Sequence, residues 1–291
     1  MQERTLKFVS TPLDKPGARA SLYTRCYLTG FTLIEMMVVV AIVALLVVFG
    51  MPAVRTMVNS FHSEGNTRAM INSALACARA MAAKEQAYAG IRFQYAYNPR
   101  GSGDILAMPQ YMIFIVNEES RNMGGLANGF RAIEGMAPIK LPESVGVMDL
   151  RIRNGAVNDS TDTAVDNLNI SNADGLRNAT TFSIVFSPTG KLVIHDVRTR
   201  NKDGNANGNN SSDDDIFNTQ TNVENNNDRG MFYQDDYTGL GLGQERSRNS
   251  FIIFDANILK RTDTNYRWRD YLSTLQPVYV NPYTGTIINN K

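Results

Sequence analysis

The stretch TGFTLIEMMVVV, residues 29–40, places one carboxylate, Glu35, inside a strongly apolar run. No charged residue follows Glu35 between Met36 and Val54, a length of 19 residues. Residues 31–54 are therefore long enough to cross a bilayer as a helix. A glutamate in a membrane helix costs about 2.5–3.5 kcal/mol on insertion scales, so Glu35 needs an opposite charge to stabilise it.

The segment before this run is basic. Residues 1–30 contain five basic and two acidic residues, and the rest of the chain contains 24 basic and 26 acidic residues. A basic flank favours a cytoplasmic N-terminus. In a secretory signal the cleavage site follows the apolar core, whereas here the candidate processing residue, Gly30, precedes it. Cleavage after Gly30 would leave the apolar helix at the start of the mature chain.

This order of features resembles the class III signal of type IV pilins and type II secretion pseudopilins. The resemblance rests on Gly30-Phe31-Thr32-Leu33-Ile34-Glu35 and on Pro52 in the helix that follows. It implies that a prepilin peptidase removes residues 1–30 and methylates the new amine of Phe31. It also implies that Glu35 meets the N-terminal amine of a neighbouring subunit, and that the helix loosens near Pro52 on assembly. A plain signal anchor is the alternative interpretation of the same run.

The function that the resemblance implies is structural and non-enzymatic. It predicts a subunit of a type II secretion pseudopilus or type IV pilus, anchored once in the inner membrane with its head in the periplasm before it joins the filament. The implied partners are other pilin subunits, the prepilin peptidase, the inner-membrane assembly platform and, before assembly, membrane lipid. Two alternatives remain open: a DNA-binding minor pilin for DNA uptake, and a membrane-anchored periplasmic domain outside any filament.

The helix is predicted to continue beyond the apolar run, through residues 55–88. Apolar residues at spacings of three and four, from Ile71 to Ala82, indicate an amphipathic helix with one buried face. Strand patterns fill the rest of the chain, which predicts an α+β fold: a long N-terminal helix, half transmembrane, packed on an antiparallel sheet in a head of residues 89–291.

The strand patterns differ in kind along the head. Alternation from Ile91 to Tyr97 predicts a half-buried strand, and the continuous apolar run 111–116 predicts a central one. Weaker strands are predicted at 130–133, 145–152 and 251–254, with hairpins at 182–197 and 278–288. Residues 74–84 and the 186–190 turn are similar to segments of H-type pseudopilins and FimT-type minor pilins. Two inserts rich in Asn, Asp, Gly and Ser, 154–178 and 199–230, are predicted to be surface loops.

A calcium loop is one interpretation of the second insert. Asp203, Asn205 and Asn207, a glycine at 208 and Asp214 follow the ligand spacing of an EF-hand. Aspartate replaces the usual glutamate at the last ligand position, and a solvated loop explains the same composition. Calcium is the single cofactor that the sequence raises.

A basic and aromatic segment near the C-terminus offers a nucleic-acid interpretation. Lys260, Arg261, Arg267 and Arg269 lie among Tyr266, Trp268 and Tyr271, a combination that can bind single strands. The alternative is a short helix that packs on the sheet through its aromatic residues, with its arginines in solvent.

Composition excludes several other classes of function. The net charge of +1 gives no global attraction to nucleic acid or to an anionic surface. The two cysteines, Cys26 and Cys77, lie on opposite sides of the apolar run, which argues against a structural disulfide and against a Cys-type zinc site. The two histidines suggest no catalytic set, so an enzyme is not expected.

Overall fold

A computed structural model describes residues 33–98, 104–118, 129–153, 162–197, 199, 216–218, 223, 231–233 and 245–288. Within the long N-terminal helix, the side chains of Glu35 and of residues 43–64 are not described. The chain divides into two compact units, residues 1–53 and 54–291, which are considered separately.

The α-helices in the described part of the chain are α1 (Leu33–Glu85), α2 (Ala173–Thr180), α3 (Ala256–Arg261) and α4 (Arg267–Asp270). Helix α1 ends three residues before the predicted limit, where Gln86 adopts a φ of 51° and turns the chain into the first strand. Across the residues that the structure describes, no helix combines the length and the apolar character that a membrane span requires.

The strands are short and numerous, in keeping with the many turn signals of the sequence. In chain order they are β1 (Ala89–Tyr95), β2 (Gln110–Glu118), β3 (Gly129–Ala132), β4 (Ile139–Lys140), β5 (Val145–Met148), β6 (Arg151–Arg153), β7 (Asp162–Ala164), β8 (Phe182–Phe186), β9 (Leu192–Val193), β10 (Asp196–Val197), β11 (Phe217–Asn218), β12 (Phe232–Tyr233), β13 (Glu245–Arg246), β14 (Ser250–Asp255), β15 (Val278–Val280) and β16 (Ile287–Ile288).

The larger sheet has β1 at its centre. Its strand order is β3-β2-β1-β8-β9, and β4 also pairs with β2. All of these pairs are antiparallel. The hairpin predicted at residues 182–197 is present in part: β8 pairs with β9, whereas residues 196–197 form β10, which pairs with β13.

Strand β1 corrects the prediction of a half-buried strand, because all seven of its residues are buried. One face carries Ile91 and Phe93 into the core beneath α1. The other face carries Arg92 and Gln94, which are also covered and hydrogen-bond to each other over 3.0 Å. The alternating pattern therefore marks two buried faces of different polarity.

A second sheet has the order β16-β15-β14-β5 and is also antiparallel. Gln110, at the start of β2, joins it to the larger sheet. The Gln110 side chain donates to the carbonyls of Val147 and Thr180, each over 2.8 Å, and accepts from the Val147 N–H over 2.6 Å. The two sheets are thus linked by one fully buried amide.

Three apolar clusters fill the head. The first lies among α1 and both sheets, and it includes the helix residues Ile71, Ala74, Leu75, Ala78 and Ala82, as the helical spacing predicts. The second covers the other face of the second sheet with α2, α3 and the aromatic residues around α4. The third covers the other face of the larger sheet with Phe130, Val197, Phe217 and Phe232.

The two predicted surface loops contain buried structure. Residues 154–178 include β7 and most of α2, whose Leu176 lies in the second cluster together with Ile170. In the insert 199–230, Thr199, Phe217 and Asn218 are almost fully buried. The loop prediction is wrong for these residues, because a few apolar side chains anchor segments whose average composition is polar.

The fold class is α+β with antiparallel sheets, as predicted from the sequence. One described pair departs from the pattern, since β11 and β12 are parallel. The weak strand predicted at residues 145–152 is two strands, β5 and β6, interrupted by a turn at Asp149 and Leu150.

Candidate functional site: the amino-terminal helix and its support

The first turns of α1 present an uncovered apolar surface. Eight large apolar side chains have exposed fractions between 48% and 79%: Leu33, Ile34, Met36, Met37, Val38, Val39, Val40 and Ile42. Burial of such a side chain stabilises by about 1.5–3 kcal/mol, so covering all eight is worth on the order of 10–20 kcal/mol. A surface of this kind requires lipid or another protein to cover it.

Glu35 and Pro52 both lie within the backbone of α1. Gly30 and Phe31, the predicted cleavage and methylation residues, lie outside the described residues.

Comparison with known proteins addresses this same segment. Residues 29–51 match the family model of the prokaryotic N-terminal methylation motif. Neither the curated proteins nor the solved structures contain a match to the chain. The matched range contains Gly30, Phe31 and Glu35 and ends one residue before Pro52.

The chain therefore carries the class III signal that type IV pilins and pseudopilins carry. The motif supports a precursor of the type IV pilin or pseudopilin kind. Proteins with this signal are structural rather than enzymatic, and the signal implies processing by a prepilin peptidase and assembly with other pilins. It also suggests anchoring in a membrane through the N-terminal region.

The second half of α1 is attached to the head through Arg79. Its Nε donates to the carbonyl of Gly190 over 2.8 Å, and one terminal nitrogen donates to the carbonyl of Thr284 over 2.9 Å. Gly190 and Gly285 have φ values of 76° and 70°. A Cβ atom at Gly190 would lie 3.0 Å from Arg79 Nε, and one at Gly285 would lie 2.9 Å from the Phe186 ring and 3.4 Å from Arg79 Cδ. Arg79 thus holds two glycine turns, at the ends of two hairpins, against one helix.

A second contact supports this attachment. The side-chain oxygen of Asn72, two turns before Arg79, accepts a hydrogen bond from the Ile287 N–H over 3.1 Å. The helix therefore satisfies a backbone donor of β16, the edge strand of the second sheet. Neither Asn72 nor Arg79 stands out in the sequence, because their partners lie more than a hundred residues away.

The four residues of the predicted nucleic-acid site are not equivalent. Lys260 and Arg261 are exposed in the last turn of α3. Arg269 pairs with Asp270, with 2.6 Å between its Nε and Oδ1, and its guanidinium lies 4.2 Å from the centre of the Tyr266 ring. Nucleic-acid binding by this segment stays a prediction.

Arg267 corrects the expectation that the arginines of this segment are solvated. Its side chain is half-buried, and its Nε is buried without a hydrogen-bond acceptor among the described residues. Burial lowers the pKa of Arg267, and nearby Asp104 partly offsets that effect. The aromatic residues around α4 behave as predicted, since Trp268, Tyr271 and Leu275 pack against the second cluster.

The predicted calcium ligands Asp203, Asn205, Asn207 and Asp214 lie outside the described residues. Calcium binding therefore stays a prediction from ligand spacing alone.

Two buried ionic groups in the head were not predicted. Arg92 of β1 contacts Glu245 of β13, and Arg248 contacts both Asp149 and Asp162. A charged residue in an otherwise apolar strand, as at Arg92, was the available signal that a buried partner exists. The sequence did not indicate which acid that partner is.

Proposed function

We propose that this chain is a structural subunit of a type II secretion pseudopilus or a type IV pilus. Its precursor is cut after Gly30, and the new N-terminus, Phe31, is methylated. Residues 31–54 hold the subunit in the inner membrane, with the head in the periplasm, until the helix enters the filament. The observation that carries the proposal is the methylation motif at residues 29–51, followed by the exposed apolar surface of α1.

Assembly supplies the charge that Glu35 needs. Cleavage creates an α-amino group whose pKa is about 8, so it is cationic at neutral pH. Either charge alone in an apolar surrounding is costly, whereas a pair with good geometry is tolerated. In the filament, the Glu35 carboxylate of one subunit meets the Phe31 amine of its neighbour.

Mass spectrometry of the protein purified from its native membrane tests the processing step. The expected mature chain begins at Phe31 and carries one added methyl group. An intact leader, or an unmethylated start at another residue, contradicts the proposal. The same outcome would favour a plain membrane-anchored periplasmic domain.

A Glu35→Gln substitution tests the role of the ion pair. We expect the variant to insert in the membrane normally and to be lost from sheared filament fractions, because the neighbouring amine then lacks its partner charge. Glu85→Gln is the matched control, since Glu85 is an exposed glutamate of the same helix that pairs only with Lys84 in the described residues. Equal incorporation of both variants contradicts the pairing.

A further inference from the structure

A cavity of about 540 Å³ opens on the head, far along the chain from the methylation motif. It is lined by the turn between β5 and β6, by residues of β7 and by the segment 246–250. Its volume falls within the range of about 300–1,000 Å³ that is typical of small-ligand sites.

The floor of the cavity is an ionic group with its own hydrogen bonds. Arg248 donates to the Asp149 carboxylate through Nε and to the Asp162 carboxylate through a terminal nitrogen, the latter over 2.6 Å. These three side chains are 5–11% exposed. The floor is therefore preformed, since buried charges that are paired and hydrogen-bonded stay fixed.

The rim carries two arginines that the floor does not use. Arg151 is exposed, and its residue opposite on β7 is Ala164, which offers no polar group. In the described part of the chain the Arg151 side chain has no hydrogen bond or ion pair. Arg246 is about half exposed and lies 3.8 Å from Asp196, a distance typical of weak surface pairs. Arg151 and Arg246 both line the cavity, and together with Arg248 they outnumber its lining carboxylates, Asp149 and Asp162, by three to two.

An apolar side chain completes the rim. Ile194 is 54% exposed and lines the cavity together with Leu150. An isoleucine beside two arginines offers a carbon surface next to cationic donors. Carboxylates fit guanidinium groups through paired hydrogen bonds, and aliphatic side chains fit the carbon surface.

We propose that this cavity binds an acidic peptide segment, with a carboxylate held by Arg151 and Arg246 and an adjacent aliphatic side chain packed on Ile194. The site is independent of the N-terminal helix, so it works in the unassembled subunit. A periplasmic or exported protein with an exposed acidic and aliphatic segment is the kind of partner that it fits.

Fluorescence anisotropy on the full chain in detergent micelles tests the proposal. The probe is a labelled peptide, Gly-Leu-Asp-Glu-Leu-Gly, compared with Gly-Leu-Asn-Gln-Leu-Gly and Gly-Leu-Lys-Lys-Leu-Gly. We expect the acidic peptide to bind and the other two to bind at least tenfold more weakly. Equal binding of the neutral peptide, or preference for the basic one, overturns the proposal.

Substitutions at the rim test which side chains bind the acidic peptide. Arg151→Gln and Arg246→Gln should each weaken binding of the acidic peptide about tenfold, the effect of one charge-assisted hydrogen bond. Ile194→Ser should weaken it by a smaller factor. Arg177→Gln is the matched control, because Arg177 is a surface arginine of α2 that pairs with Asp174 and is not among the residues that line the cavity. Rim variants that bind like the control overturn the assignment.

Two competing ligands distinguish an acidic peptide from other occupants of the cavity. Inorganic phosphate that displaces the peptide at equal concentration would show a simple anion site and overturn the peptide assignment. A single-stranded oligonucleotide that displaces it more effectively than unlabelled peptide would assign the cavity to nucleic acid instead. These measurements use unassembled protein. A negative binding result therefore does not contradict the filament proposal, and a negative assembly result does not contradict peptide binding.

Discussion

At the scale of single residues, Asp149 is a buried carboxylate whose charge is poorly stabilised. Burial raises its pKa to about 6, although Arg248 and the Arg151 N–H pull it down. One guanidinium is shared between two carboxylates, Asp149 and Asp162, so the full negative charge of the pair is not neutralised locally. The buried network is therefore sensitive to pH.

The sign of this sensitivity follows from the raised pKa of Asp149. Its ordinary pKa is 3.8, so the folded state binds the proton more tightly than the unfolded state does. Below about pH 4, Asp149 is protonated and does not lower the free energy of unfolding. As the pH rises through about 6, its ionisation in the buried site lowers the free energy of unfolding by at most about 3 kcal/mol. Urea denaturation at pH 4.5 and pH 7.5 should show this loss in the wild type, relative to Asp149→Asn. Equal pH dependence of the two proteins contradicts the prediction.

The Gln110 side chain links the larger sheet to the second sheet through hydrogen bonds to Val147. Replacing it with methionine leaves the Val147 N–H and two carbonyls without partners in the core. We expect Gln110→Met to lower the free energy of unfolding by about 2–4 kcal/mol, since each unsatisfied buried group costs about 1–3 kcal/mol. The matched control Gln276→Met, at an exposed position, should stay within about 0.5 kcal/mol of the wild type. Chemical denaturation followed by circular dichroism measures both, and a Gln110→Met loss no larger than the control's contradicts this role.

At the scale of secondary-structure elements, α1 is held to the head by one packed face and by Arg79. The packed face follows from periodicity within the helix, whereas Arg79 contacts the turns of two hairpins. This arrangement places Gly190 and Gly285 under the same side chain, so the two hairpins are positioned together.

Substitution of Arg79 should loosen those turns selectively. We expect Arg79→Met to lower the free energy of unfolding by about 1–3 kcal/mol, because the carbonyls of Gly190 and Thr284 lose charged donors. Hydrogen exchange measured by mass spectrometry should accelerate in peptides that cover residues 187–191 and 281–286. Arg177→Met is the control, and unchanged exchange in both turns would show that Arg79 does not position them.

At the scale of the whole molecule, the division at residues 53 and 54 falls within α1, and the unit of residues 54–291 has its own core. All three described apolar clusters lie within residues 70–287. A chain that begins at Val54 should therefore fold alone and stay monomeric without detergent. Sedimentation and a cooperative thermal transition measure this. Aggregation, or a transition that is not cooperative, would show that this part of the chain needs residues 1–53 to fold.

The features that could be predicted from the sequence are those that neighbouring residues specify. Helix α1, the β8–β9 hairpin and the α+β class follow from periodicity and turn residues within short windows. The methylation motif is local too, because peptidase recognition and the apolar run occupy adjacent positions around Gly30. These patterns require no knowledge of where distant segments lie.

The buried polar contacts depend instead on how the strands cross. Arg92 and Glu245 are 153 residues apart, and Arg248 and Asp149 are 99 apart, so no local pattern pairs them. The two polar inserts show the same limit, because Leu176 and Phe217 become buried only when the sheets supply a surface to cover. Short-range periodicity therefore specifies the helix and its signal. The two-faced burial of β1 and the cavity above Arg248 arise from long-range strand pairing, because their stabilising partners come together only in the folded head.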